Sequence, residues 1–272
     1  MPRRPSYLWH PGSDPADRGR IQRASLLHRC KNVYSQRGDD GIIEAIFSRL
    51  AIGRGFFVEF GGWDGVFLAN SRALVERTWD GAFIEADADK FEALRRNYAD
   101  RHNVLCINEW VGFPGAEGKS IDQIAAECFP RREIDMMTID IDGLDYRILE
   151  TMALRPKVVC IEGGFAWNPM FTKRVPDDIA RNNLAQPLPV MMDVGRAAGY
   201  LPVGFNQNVF LVRDDLADAF SDIRNDALTL WRDAWFNEID AFRSDLLAFR
   251  VRNPLVRAQE GPEFLDLPID HG

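Results

Sequence analysis

Three carboxylates that end two apolar runs are the residues best placed to do chemistry. IDMMTIDID (134–142) closes on Asp140 and Asp142, followed by Gly143, Leu144 and Asp145, and KVVCIEGG (157–164) carries Glu162 near its end. Side chains alternate along a strand, so Asp140 and Asp142 are expected on one face, with Glu162 beside them if the two runs are neighbours. Acidic groups are poorly tolerated inside a sheet covered on both faces, whereas the carboxyl edge of such a sheet is where open α/β folds bind ligands. Converging carboxylates support two chemistries. One is a general base toward an acceptor hydroxyl, its pKa raised by its neighbours; the other is a site for a hard cation such as Mg²⁺. The plainer alternative has Asp140 accepting from a ligand or a backbone amide and Asp145 capping the following helix.

A second constellation lies upstream. Val58-Glu59-Phe60-Gly61-Gly62-Trp63-Asp64-Gly65 ends the first apolar run, and a helical pattern follows. Glycines at a strand-to-helix turn allow close approach of backbone to ligand, although the GxGxxG spacing that cradles a pyrophosphate is absent. Glu85 closes the next run, GAFIEA (81–86), with Asp87 as its near neighbour. A carboxylate there can accept from both hydroxyls of a ribose.

The elements that must position these groups read as alternating strands and helices. Apolar runs fall at 56–60, 81–86, 103–108, 134–142 and 157–164, and helical patterns at 40–52, 69–78, 88–99, 120–128, 145–154 and 189–198. Such alternation implies βαβ units, a parallel sheet and helices on both faces. GYLPVGFN (199–206) and QNVFLVR (207–213) are parted by little more than a turn, which predicts an antiparallel hairpin at the sheet edge with Asn206–Asn208 at its tip. Apolar positions within 214–250 suit one or two amphipathic helices, with Trp231, Trp235 and Phe236 in a core or a dimer contact.

Four blocks together resemble a known family: YSQRGDDGIIEAIF (34–47), FFVEFGGWDGVFLANS (56–71), GAFIEADADKFEALRRN (81–97) and IDMMTIDIDGLDYRILETM (134–152). Their order is similar to that of the FkbM-type branch of class I S-adenosylmethionine-dependent methyltransferases, and the likeness covers about residues 32–213. The resemblance implies a Rossmann-like methyltransferase fold, a mostly parallel seven-stranded sheet with an antiparallel edge hairpin. It implies S-adenosylmethionine as cofactor, with Glu59, Gly61, Gly62, Asp64 and Gly65 on the methionine side, Glu85 and Asp87 at the ribose, and Asn108 and Glu109 near the adenine. Asp140 would contact the cofactor as well as serve, with Asp142 and Glu162, as catalytic group or metal ligand. Trp63-Asp64 departs from the smaller or amide residues of many relatives. Ser35-Gln36 and Asp40 either fold over the cofactor or cap the 40–52 helix, and Trp167 either walls the acceptor pocket or packs.

Length and composition set outer limits. The 272 residues carry 33 Lys+Arg against 41 Asp+Glu, a net charge of −8, and 46 % hydrophobic residues. That balance disfavours a nonspecific nucleic-acid binder, and no run approaches the roughly 20 apolar residues that span a bilayer. Cys30, Cys106, Cys128 and Cys160 lack CxxC spacing, and the four histidines lack metal spacing, so reduced structural thiols in a cytoplasmic protein are expected, while a place in secondary metabolism is what the family resemblance implies. The chain divides into an N-terminal arm and helix (1–55), a catalytic domain (56–213) and a helical extension (214–272). The arm is basic and the extension acidic, so the ends are expected to meet, on one chain or across a homodimer. The functional expectation is methyl transfer to an oxygen of a small-molecule acceptor, with no nucleic-acid or membrane partner. Two rival readings stand beside it: a cofactor-binding subunit without catalysis, and a Mg-dependent phosphohydrolase with Asp140 as nucleophile.

Overall fold

The structure, a computed structural model, describes residues 21–165, 167–181 and 184–237. Seven strands form one sheet. Five carry the apolar runs: β1 (Phe56–Phe60), β2 (Asp80–Glu85), β3 (Val104–Asn108), β6 (Met136–Ile139) and β7 (Val158–Glu162). The hairpin β8 (Tyr200–Phe205) and β9 (Asn208–Arg213) completes it, in the order β3-β2-β1-β6-β7-β9-β8. Every neighbouring pair is parallel until β9, which runs antiparallel to β7 and to β8. This is the expected Rossmann-like methyltransferase arrangement, edge hairpin included. Two two-residue strands, β4 (Val111–Gly112) and β5 (Lys119–Ser120), form a separate small ladder that the apolar pattern did not signal.

Helices α1 (Asp39–Arg49), α2 (Arg72–Glu76), α3 (Ala88–Asn97), α4 (Ile121–Cys128), α5 (Asp145–Thr151) and α7 (Leu188–Ala197) cover the sheet, each at or within a few residues of its predicted span. Local chemistry sets their starts: Asp87 accepts from the amides of Asp89 and Lys90, and Ser120 with Gln123 makes a reciprocal capping box before α4. Short α6 (Asp177–Ala180) belongs to a loop over 163–187 with a small core of its own, Trp167, Val175, Ala180 and Leu184. Trp167 is packing: its indole N–H donates to the Ala185 carbonyl at 2.8 Å and its ring stacks on Phe171.

The main core crosses both expected boundaries, at 56 and at 213. Leu26, Leu27, Ile42 and Ile46 on one side, and Phe220, Leu230, Trp231 and Trp235 on the other, are buried in the same cluster as the sheet. Leu26 and Leu27 of the basic N-terminal arm are therefore packed into this core. The 3-10 turn Leu26–Arg29 docks where Gln22 donates to Asp233 of α8 (Ala227–Asn237), Nε2 to Oδ2 at 2.8 Å, and exchanges hydrogen bonds with the backbone of Arg224. Trp231 and Trp235 stack with Phe165 inside this core. The described parts of the two ends meet within one chain; residues 1–20 and 238–272, and with them the expected helix beyond 237, lie outside the described residues.

Candidate active site at the carboxyl edge of the sheet

Register brings the central strands to a common edge. Phe60 pairs with Ile139, Ile139 with Ile161, and Glu162 with Asn208, so Gly61, Asp140, Glu162 and Asn208 form the next rung. The predicted neighbourhood of Asp140, Asp142 and Glu162 is realised: one carboxylate oxygen from each lies within 4.8 Å of the others. The route differs from the expectation. β6 stops at Ile139, and Asp142 adopts a left-handed backbone (φ 60°), so a turn rather than strand alternation returns it to the group. Asp145 ties that turn by accepting from the amides of Ile141 (2.7 Å) and Gly143 (2.8 Å). It does not cap α5; it shapes the segment in front of it.

Enclosure of so much negative charge raises proton affinity. Burial, then the charges of Asp145, Glu162 and Asp142, hold Asp140 well above the usual carboxylate range. Burial, then Asp145 and Asp142, push Glu162 up to about 7, with Gln207 offsetting part of the rise. Burial likewise holds Asp145 at about 6 and Glu59 at about 7. Among the described residues no hydrogen-bond donor reaches Glu162 Oε2. The edge thus presents carboxyl groups able to take up a proton near neutrality.

The glycine loop lies against this rung. Gly61 has φ 75°, and a Cβ there would stand 1.7 Å from the Asp140 carbonyl oxygen, so only glycine fits. Gly62 faces Phe83, and Gly65 (φ 71°) lies against Tyr98, whose hydroxyl donates to the Gly65 carbonyl at 2.5 Å. Glu59 is buried and accepts from the amides of Asn70 (3.0 Å) and Ser71 (2.6 Å), which fixes the entry to α2. Glu85 accepts from the amides of Trp63 (3.0 Å) and Asp87 (2.8 Å), so it pins the loop from the neighbouring strand and keeps further lone pairs for a ligand.

Four other expected ligand residues are engaged locally. Asp64 accepts from the amides of Val66 and Phe67, and Asp87 caps α3. Glu109 pairs with Lys119 at 2.9 Å, a contact that lowers its pKa. Asn108 donates to the carbonyls of Glu85 and Ala86 and braces the end of β2. Trp63, half-exposed with a left-handed backbone (φ 51°), carries Lys90 4.6 Å above its ring.

A contact that sequence reasoning missed, made through Asp39, locks the opposite side of the edge. Asp39, wholly buried, accepts from Asn206 Nδ2 (2.6 Å) and Asn208 Nδ2 (2.8 Å), binding the start of α1 to the hairpin tip. Asp40 Oδ2 gathers the amides of Val33, Tyr34 and Ser35, and Ser35 Oγ accepts from the Asp40 amide. These bonds shape the 33–40 loop; the helix N-cap itself is Gly38. Two asparagines flanking a hairpin tip were the available signal for this lock.

No protein-family model matches the chain, and no curated protein does. Solved structures similar to it include the mitomycin 7-O-methyltransferase MmcR at 11 % identity (TM-score 0.35), covering 64 % of this chain and 55 % of that one. A second is the Methanococcus jannaschii fibrillarin pre-rRNA processing protein, at 15 % identity and TM-score 0.39, covering 59 % and 66 %. A third is the N-terminal domain of EvdMO1 with SAH bound, at 11 % identity and TM-score 0.41, covering 65 % and 82 %. The chain spans about half the length of the mitomycin enzyme and two thirds of the fibrillarin. No helix among the described residues is long and apolar enough to cross a membrane.

Proposed function

We propose that the chain is an S-adenosylmethionine-dependent O-methyltransferase of the FkbM type, acting on a hydroxyl of a small molecule such as a sugar or another secondary metabolite. The observation that carries this reading is the juxtaposition of a glycine loop, a loop-pinning acid on the next strand, and proton-accepting carboxyls at one sheet edge. The donor set suits the cofactor: Gly61 keeps the loop free of side chain where it meets Asp140, and Glu85 retains lone pairs for vicinal hydroxyls. When bound, S-adenosylmethionine supplies a methyl group on a sulfonium sulfur, which departs as a neutral thioether once the acceptor oxygen has attacked. This chain's part is to orient two substrates and to take one proton. Glu162 and Asp140 receive the hydroxyl proton, and burial, followed by the charges of Asp145 and Asp142, keeps their proton affinity high.

A second reading has the three carboxylates hold Mg²⁺, since three oxygens within 4.8 Å match a hard cation's needs. The test incubates the protein with S-adenosylmethionine labelled in its methyl group and a panel of hydroxyl-bearing compounds, with and without EDTA. Label transfer that survives EDTA supports the base reading; transfer abolished by EDTA and restored by Mg²⁺ assigns the metal. Cofactor binding with no transfer to any acceptor points to a non-catalytic subunit.

A further inference from the structure

Below the edge carboxylates, on the same face of the sheet, lies a second polar row. Register sets Glu59 of β1 beside Thr138 of β6, and Thr138 beside Cys160 of β7. Two residues further on, the same strands lead to Gly61, Asp140 and Glu162. Asn70 arches across the row: its amide donates to Glu59 Oε1 at 3.0 Å, and its side-chain Nδ2 to Cys160 Sγ at 3.7 Å. Thr138 is the strand residue between those two anchors.

Glu59, Asn70 and Thr138 are 4, 6 and 2 % exposed. Even so, Asn70 Oδ1 and Thr138 Oγ1 have no hydrogen-bond partner among the described residues. Nor does Oδ1 of Asp40, a buried residue whose charge bears on Glu59. Exchanging the oxygen and nitrogen of the Asn70 amide moves the deficit to the other atom without removing it. Thr138 is also the one polar residue of Met136–Ile139, at a position where valine has the same shape and no hydroxyl to satisfy. Buried oxygens in this condition are satisfied in native interiors by enclosed water with two to four polar partners.

We propose that Thr138 Oγ1, Asn70 Oδ1 and Asp40 Oδ1 bind enclosed water against Glu59, forming a hydrogen-bonded path beneath the glycine loop toward Asp140 and Glu162. The hydration stands apart from the methyl-transfer reading.

The experiment replaces Thr138 by valine in the full chain and follows thermal unfolding. With water on the hydroxyl, Thr138→Val leaves that water short of a partner and lowers Tm by about 2–6 °C. In a dry seam the same change removes an unmet hydroxyl, and an unchanged or raised Tm overturns the proposal. If the variant does not fold, a high-resolution crystal structure of the wild-type protein decides. Solvent density within hydrogen-bond distance of both Thr138 Oγ1 and Asn70 Oδ1 supports the site, and its absence from an ordered seam refutes it. Neither measurement needs cofactor or acceptor, so a titration with S-adenosylhomocysteine reports separately on the methyl-transfer reading.

Discussion

Replacing Glu85 by glutamine separates its loop-pinning contacts from its proposed role at the ribose. In the structure its carboxylate accepts from the Trp63 amide at 3.0 Å and the Asp87 amide at 2.8 Å. Glutamine keeps the shape but offers one oxygen, so one of the two N–H groups faces an NH₂. A buried donor left unmet costs about 1–3 kcal/mol, which lowers Tm by roughly 4–8 °C for a loss of about 2 kcal/mol in a chain of this size. Ribose recognition adds a separate loss. A hydrogen bond to a charged acceptor contributes about 1.5–3 kcal/mol, and every 1.4 kcal/mol is tenfold, so S-adenosylhomocysteine should bind about 10- to 100-fold more weakly. Differential scanning fluorimetry reads the first effect and isothermal titration the second. A lower Tm with unchanged affinity would leave Glu85 as a loop pin only and refute its place at the ribose.

Three further predictions come from other parts of the edge. Glu59 and Glu162 at about 7 and Asp145 at about 6 hold protons in the folded state that the unfolded chain has already released. Their contribution is full below pH about 4 and is lost as pH rises to about 7, with Glu59 accounting for at most about 3 kcal/mol; Tm should fall from pH 5 to pH 8, less steeply in Glu59→Gln, and a rise with pH contradicts the sign. Asp39→Ala strands the Asn206 and Asn208 amides, and urea titration should show about 2–5 kcal/mol lost, whereas a loss below about 1 kcal/mol removes the lock from the account. Gly61→Ala puts a Cβ 1.7 Å from the Asp140 carbonyl and should abolish S-adenosylhomocysteine binding; retained affinity contradicts the tight loop.

Much of the sheet was legible because its signals are local. Short apolar runs bounded by glycines and helical patterns located β1, β2, β3, β6 and β7, and adjacent runs around Asn206–Asn208 marked the antiparallel hairpin. The convergence of Asp140 with Glu162 followed from strand adjacency alone. The roles of individual acids were less legible, because a short acidic side chain first meets its own backbone. Asp64, Asp87 and Asp145 are each taken by amides two to four residues away, and spacing alone does not separate such a turn from a ligand contact. Individual long-range partners were less legible, although the opposite charge of the two ends pointed to their meeting. Asp39 reaches Asn208 across 169 positions, and Gln22 reaches Asp233 across 211, so neither the lock nor the docking of the two ends left a periodic trace.

The central claim is that this edge binds S-adenosylmethionine. Isothermal titration of the purified full chain with S-adenosylhomocysteine tests it most directly. Saturable binding with one site per chain is expected, weakened by Glu85→Gln and lost in Gly61→Ala. A wild-type protein that is folded, as judged by a cooperative thermal transition, and shows no heat of binding at millimolar ligand would contradict it.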